Sequence, residues 1–266
     1  TAKRTFDMMH DESEAPYLAS ESDEVITDRY KCSHHIDSQG RVWRFKWTDD
    51  LFEGRRKWIL QRYEHDWTTI KEVGMHNYSF CSNGQSLFVS DLTYICAFDL
   101  LSAEMKKVPL PPSHTLLLRS ASQDFLSLIS SHKFYRLSLS TSELTPESLP
   151  HDNIKFNNTH GITFDNGEWK VLSLSSSEQW RTGVLGGDYA AEAFPDCFIL
   201  FPHTSALRDK LIVIRPKQRT VQLFLCALYG FILGVHGDHI FVQGTKIVGE
   251  DQAVIYRMKL PEVRAA

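Results

Sequence analysis

The chain has 266 residues, of which 42% are apolar and 23% charged, with a formal net charge of −4. That balance fits a folded chain with a sizeable core and argues against a global field that would draw in nucleic acid or anionic lipid. No apolar run approaches the roughly 18 residues of a membrane helix, no signal peptide opens the chain, and the first residue is Thr1, as in a fragment.

Residues 1–23 are acidic and aperiodic (HDESEAPYLASESDE), a composition that predicts a disordered tail. If the tail is ordered, apolar anchors must offset its entropy, and Phe6, Met8, Met9, Tyr17 and Leu18 are the candidates. Its SESDE stretch (Ser20 to Glu24) suits acidophilic kinases, or simply solubilises the chain. The segment EVITDRYKC (Glu24 to Cys32) reads as an outer strand able to close a ring against the last repeat, which would remove an exposed edge. Beyond it, short runs of β-branched, aromatic and leucine residues alternate with Gly, Asn, Asp, Ser and Pro clusters, the texture of many short strands. In WRFKW, Trp43, Phe45 and Trp47 alternate with Arg44 and Lys46, as in a strand with one face buried. Trp58, Trp67, Trp169 and Trp180 also lie in strand-like runs and suit wedges between adjacent sheets. The one helical candidate, Asp188 to Ala193, is too short to stand alone. The most apolar stretch, Val221 to Val235, is interrupted at Gly230 and predicts two strands around a turn.

The chain repeats internally. Thr93–Pro111 (TYICAFDLLSAEMKKVPLP) aligns without gaps on His132–Pro150 (HKFYRLSLSTSELTPESLP) at an offset of 39, matching Leu100 to Leu139, Leu110 to Leu149 and Pro111 to Pro150. Polar turns leading into apolar strands recur at Gly40, Gly84, Asp124, Gly167, Asp209 and Asp238, in steps of 44, 40, 43, 42 and 29 residues. Four of those steps fit a four-stranded propeller blade of about 40–45 residues; the last implies a shortened fifth blade or a misplaced marker. The expected fold is therefore all-β: a single closed β-propeller of about six (five to seven) four-stranded blades, with a two-sheet sandwich as the runner-up. The expected organisation is an acidic extension over 1–32 carrying the ring-closing strand, the propeller over 33–262, and a short tail over 263–266.

The phrase YICAFDLLSAEMKKVPLPP resembles the hairpin of kelch and F-box-associated propellers, through Phe98-Asp99 and Leu110-Pro111. The second copy keeps Leu149-Pro150 but carries Leu137 and Ser138 in place of the Phe-Asp pair. The kelch double glycine is missing from its expected place: Gly186-Gly187 reads as lying after the third strand of its blade. No Trp-Asp dipeptide and no F-box occur. The resemblance covers the texture of residues 33–262 and implies propeller architecture, with protein interaction as its commonest use.

Chemistry-bearing motifs are sparse. His34-His35 and the His236/Asp238/His239 run hold metal-capable groups, but turns are rich in such residues and a metal needs three or four converging ligands. No nucleophile elbow, HExxH or P-loop appears. The basic groups Arg55-Arg56-Lys57, Lys106-Lys107 and Arg215 to Arg219 read as solvated hairpin tips. Five cysteines, an odd number without CxxC spacing and mostly inside apolar runs, point to buried thiols in a reducing compartment. The N-x-S/T triplets at Asn77 and Asn157 weakly favour secretion instead. The expectation is an intracellular chain, cytoplasmic or nuclear, that binds protein rather than membrane or nucleic acid, needs no cofactor and is not an enzyme; a hydrolase or small-ligand binder using a central channel is the alternative.

The partner face is expected where second and third strands join. Those loops would hold Arg55 and Arg56 in the first blade, Asp91 and Tyr94 in the second, His132 and Lys133 in the third, Lys217 in the fifth and Lys246 in the sixth. TDDLFEGRR and QGTKIVGEDQ look longest, making Phe52 and Ile247 the candidate apolar anchors at a first-to-sixth seam.

Overall fold

A computed structural model of the chain describes residues 24–29, 32–76, 79–111, 116–147, 154–203, 207–245 and 252–260. Phe6, Met8, Met9, Tyr17 and Leu18 lie outside those residues, as do Asn77, Leu149, Pro150, Lys246 and Ile247.

The described residues form strands β1 (Glu24–Arg29), β2 (Cys32–Ile36), β3 (Val42–Phe52), β4 (Arg55–Tyr63), β5 (Trp67–Gly74), β6 (Phe80–Ser82), β7 (Ser86–Ser90) and β8 (Tyr94–Asp99). They continue through β9 (Met105–Pro109), β10 (Leu117–Ala121), β11 (Phe125–Ser130), β12 (Lys133–Ser138), β13 (Leu144–Pro146), β14 (Lys155–Phe156), β15 (His160–Asp165) and β16 (Glu168–Ser173). The last are β17 (Gln179–Leu185), β18 (Tyr189–Phe194), β19 (Cys197–Pro202), β20 (Leu207–Arg215), β21 (Thr220–His236), β22 (His239–Thr245) and β23 (Gln252–Lys259). The chain is an all-β propeller of six blades, each a four-stranded antiparallel sheet. Contacts divide it into two compact units, residues 31–150 and residues 151–266 with 1–30.

The unit 31–150 holds three blades, β2–β5, β6–β9 and β10–β13. Its cores lie between successive blades. Leu87, Val89, Cys96 and Phe98 of the second blade pack on Trp43, Phe45, Trp58 and Leu60 of the first. Phe88 and Ile95, one residue out of phase, pack on Leu118, Leu126 and Leu137 of the third. A strand's period of two thus feeds two cores, which explains apolar runs where a half-exposed sheet would alternate. Arg44 departs from the expected alternation. It is 7% exposed, donates to Gln61 Oε1 at 2.7 Å and lies 4.0 Å over the Trp67 ring.

Over the described residues the 39-residue repeat is kept to the residue. Leu87 pairs with Phe98 and Leu126 with Leu137; Phe98 pairs with Met105 and Leu137 with Leu144. Leu100 N–H donates to Gln85 O at 2.8 Å, and Leu139 N–H to Asp124 O at 2.9 Å. A buried polar residue closes each first-to-second turn. Asp37 Oδ1 accepts from the N–H groups of Gln39 and Arg41, Asn83 Oδ1 from Gln85 and Ser86, and Ser122 Oγ from Asp124 and Phe125. These are Asx- and Ser-type caps, in which a side chain stands in for a missing backbone partner.

The other unit holds β14–β17 and a seven-stranded sheet, β18-β19-β20-β21-β22-β23-β1. Two blades share that sheet because β21 is one continuous strand. Its residues up to Tyr229 pair with β20, and those from Gly230 onward pair with β22. The expected turn at Gly230 is therefore absent: glycine marks the crossing from one blade to the next. β1 pairs antiparallel with β23 as the outer strand of the last blade. Asp188 to Ala193 is largely strand β18, and Gly186-Gly187 follows the fourth strand of its blade, not the third.

Two turn markers also move. Gly167 belongs to the second-to-third hairpin of the fourth blade, and Asp209 lies within β20. The first-to-second turns there fall at Asn157–Thr159 and Pro195-Asp196, so Gly40, Gly84, Asp124, Asn158, Asp196 and Asp238 step by 44, 40, 34, 38 and 42 residues. Among the described residues every blade has its four strands, with β21 shared by the last two. Asn157 is 2% exposed and its Oδ1 accepts from Thr159 and His160 N–H, so this triplet is a turn cap rather than a glycan acceptor.

Candidate functional site

The first blade carries a long hairpin. β3 and β4 run to a two-residue turn, Glu53-Gly54, with φ of 52° and 75°; two positive φ values match the right-handed twist of a hairpin. The segment TDDLFEGRR is thus projecting strand and not a long loop. Gly74, which ends β5, lies beneath it: a Cβ there would stand 2.3 Å from the Phe52 carbonyl oxygen and 3.2 Å from Arg55 Cβ. Only glycine lets the outer strand pass so close, and this contact fixes where Phe52 and Arg55 stand.

The second blade meets the hairpin at the link between β7 and β8. Asp91 N–H donates to Tyr94 O at 2.8 Å, and Asp91 Oδ1 accepts from Leu92 N–H at 2.6 Å. Arg55 Nη1 donates across to Asp91 Oδ2 at 3.3 Å and to the Tyr94 hydroxyl at 3.1 Å. Asp91 is 6% exposed, so its carboxylate is desolvated and depends on Arg55, whose own side chain stays partly in solvent.

Below the bridge lies a cleft of about 500 Å³, with Phe52, Arg55, Val73, Tyr94, Cys96 and Met105 among its walls and Lys71 and Lys107 at its edges. Burial, with the bond to Asp91 second, raises the Tyr94 phenol to about 12. Burial likewise raises the Cys96 thiol to about 11, against the opposing pull of Lys107. Lys107 Nζ sits 4.6 Å from the Tyr94 ring centroid, in cation–π range. At neutral pH the cleft therefore presents a neutral phenol, a neutral thiol and cationic heads. Leu92, 51% exposed, follows Asp91 in the link between β7 and β8, whereas Leu51, 72% exposed, pairs with Arg56 on the hairpin face opposite Phe52.

Of the residues singled out from sequence, Phe52, Arg55, Asp91 and Tyr94 come together here. Arg56 points away, 4.5 Å over the Trp47 ring. Ser131 and His132 form the third blade's tight turn, with φ of 46° and 65°, and Lys133 opens β12. Lys217 is misassigned: it lies in the turn between the third and fourth strands of its blade, paired with Asp196 at 3.2 Å. The shift follows from reading β20 as a second strand when it is a third. Lys106-Lys107 lie in β9 rather than in a loop. Sequence reasoning missed Lys71, Val73, Gly74 and Met105; only the apolar end of β5 and its closing glycine hinted at them. His34 and His35, adjacent on β2, alternate across the sheet, and His239 Nδ1 pairs with Asp238 at 2.7 Å. Among the described residues no group of three or more His, Cys, Asp or Glu could hold a metal ion.

No protein-family model matches the chain, and no curated protein matches it. Solved structures of similar fold include Hsv2 of Kluyveromyces lactis, at TM-score 0.50 and 10% identity over 82% of this chain and 71% of that one. The WD40 domain of Neurospora crassa Pan2 aligns at TM-score 0.47 and 9% identity, over 94% and 99% of the two chains. The N-terminal domain of Nup159 aligns at TM-score 0.44 and 10% identity, over 91% and 79%. At such identities the likeness concerns the fold alone, and it gives the kelch-like texture no family of its own.

Proposed function

We propose that this protein is a non-catalytic β-propeller serving as a protein-interaction module, a recognition or scaffold subunit that docks its partner over the cleft between the first two blades. The observation that carries this reading is the cleft itself. Phe52 and Tyr94 form apolar walls, Arg55 is fixed by Asp91, and Leu92 stands exposed next to Asp91. A concave centre holding aromatic and arginine groups inside a mixed rim is the composition of an interaction hot spot. It is built on hairpin ends that rigid blades hold in place, where binding residues commonly sit.

The test uses Phe52→Ala and Leu92→Ser in the full chain. Arg55→Ala is unsuitable because it strands the buried Asp91 carboxylate and lowers stability for its own reasons. Affinity capture from the native source should lose its specific partner with both variants while the melting temperature holds. Capture that survives both, but fails with Leu101→Ser or Leu185→Ser at other exposed sites, overturns the reading.

A further inference from the structure

We infer that the cleft's partner is an acidic, extended peptide segment in which an apolar side chain is flanked by carboxylates; the inference rests on the docking reading above. Its basis is which charges around the cleft are already neutralised. Asp91 is taken by Arg55, and Glu72 by Lys57 at 3.0 Å. Lys71 and Lys107 both edge the cleft, both are exposed, and neither has a carboxylate partner among the described residues. Glu53, on the hairpin turn, is the one acid of the lining left unpaired, so the unpaired charges leave the cleft net positive. Arg55 adds to this. Its side chain keeps 40% exposure and, among the described residues, only Nη1 is engaged, so the other guanidinium N–H groups remain to meet a carboxylate.

The floor decides against a bare polyanion site. Val73, Cys96 and Met105, buried or half-buried, line it together with the exposed lysines, and Cys96 is held as the neutral thiol. An apolar side chain entering this floor places its chain neighbours beside Lys71 on one blade and Lys107 on the other. A nucleic-acid backbone would satisfy the cations but leave the Val73–Met105 floor unfilled. β5 itself is bulged in its pairing with β4, between Leu60 and Gln61, and bears Lys71 there; bulges and lysines oppose strand addition along an edge. Recognition therefore runs through side chains across the cleft.

Fluorescence anisotropy on the full chain tests this with three short labelled probes: Asp and Glu around a central Phe-Leu pair, the same peptide with Lys replacing the acids, and the acidic peptide with Ser replacing Phe-Leu. Only the first should bind appreciably. Lys71→Glu with Lys107→Glu should weaken it roughly tenfold or more, and raising salt should do the same. Lys71→Gln with Lys107→Gln, which cannot repel, should fall between. Equal binding of the Ser-substituted peptide, or tighter binding of polyuridine RNA, would overturn the inference. So would charge-reversed protein that captures its native partner normally while Phe52→Ala does not; in that case docking at the cleft stands and the acidic chemistry fails.

Discussion

Removing the Asp37 carboxylate should be the most damaging single change among the turn caps. Asp37 is 3% exposed and accepts four hydrogen bonds: from Gln39 and Arg41 N–H at 2.9 Å each, from Arg41 Nε at 2.6 Å, and from Trp43 Nε1 at 2.8 Å. In Asp37→Ala the Trp43 indole N–H, in a side chain that is fully buried, loses its acceptor, at a cost of about 1–3 kcal/mol. The two turn N–H groups lose a cap worth about 1 kcal/mol but can reach water. Arg41 keeps its bond to Leu100 O at 2.9 Å and can hydrate the rest of its guanidinium. The total is about 2–4 kcal/mol, a large share of a typical margin of roughly 5–15 kcal/mol. Ser122→Ala removes only two neutral hydroxyl acceptances and one donation to Phe125 O, about 1 kcal/mol. Urea unfolding followed by tryptophan fluorescence, with equal m-values across variants, measures both. An Asp37→Ala loss below about 1 kcal/mol, or one smaller than that of Ser122→Ala, would refute the argument that buried caps carry the repeat.

Two titration predictions accompany it. His35 is pushed down to about 3 by desolvation, with repulsion from His34 second, and its Nε2 bonds Ser33 Oγ at 3.0 Å. Between the ordinary histidine value and about 3 the unfolded chain binds a proton that the folded chain does not, so stability falls as pH falls through that window. His35→Gln should flatten the slope, and an unchanged slope contradicts the assignment. Burial also raises Cys197 to about 12 and Cys96 to about 11, so N-ethylmaleimide at mildly alkaline pH should label both only on unfolding; fast labelling of either in the native protein, read by peptide mass spectrometry, contradicts their burial.

The blade period was legible because blades two and three share strand lengths and capping positions, down to the N–H of Leu100 and Leu139. It blurred where the turn chemistry changed. Asn166-Gly167 supplies two positive φ values, and a hairpin can use such a pair at either end of a blade. In the fourth blade the first-to-second turn has no glycine, because the Asn157 side chain closes it. From sequence, Gly230 predicts a turn that would split Val221 to Val235 into two strands, whereas the strand stays extended there while its partner changes. Arg55, Asp91 and Tyr94 could be named from their loops, but their union depends on Gly74 beneath the hairpin. Lys107 reads from sequence only as part of a solvated tip and Lys71 belongs to no motif, yet both lie on outer strands that the packing of two blades sets around one cleft.

The docking claim is tested most directly by photo-crosslinking. A benzoylphenylalanine placed at Leu92 adjoins Asp91, the partner of Arg55, and one at Leu101 stands at the other end of β8; both positions are exposed, at 51% and 70%. On irradiation in the native extract, the Leu92 probe should yield a discrete protein adduct that disappears with Phe52→Ala, and the Leu101 probe should yield none. An adduct from Leu101 alone, or one from Leu92 that persists in Phe52→Ala, would contradict the placement of the binding face at this cleft.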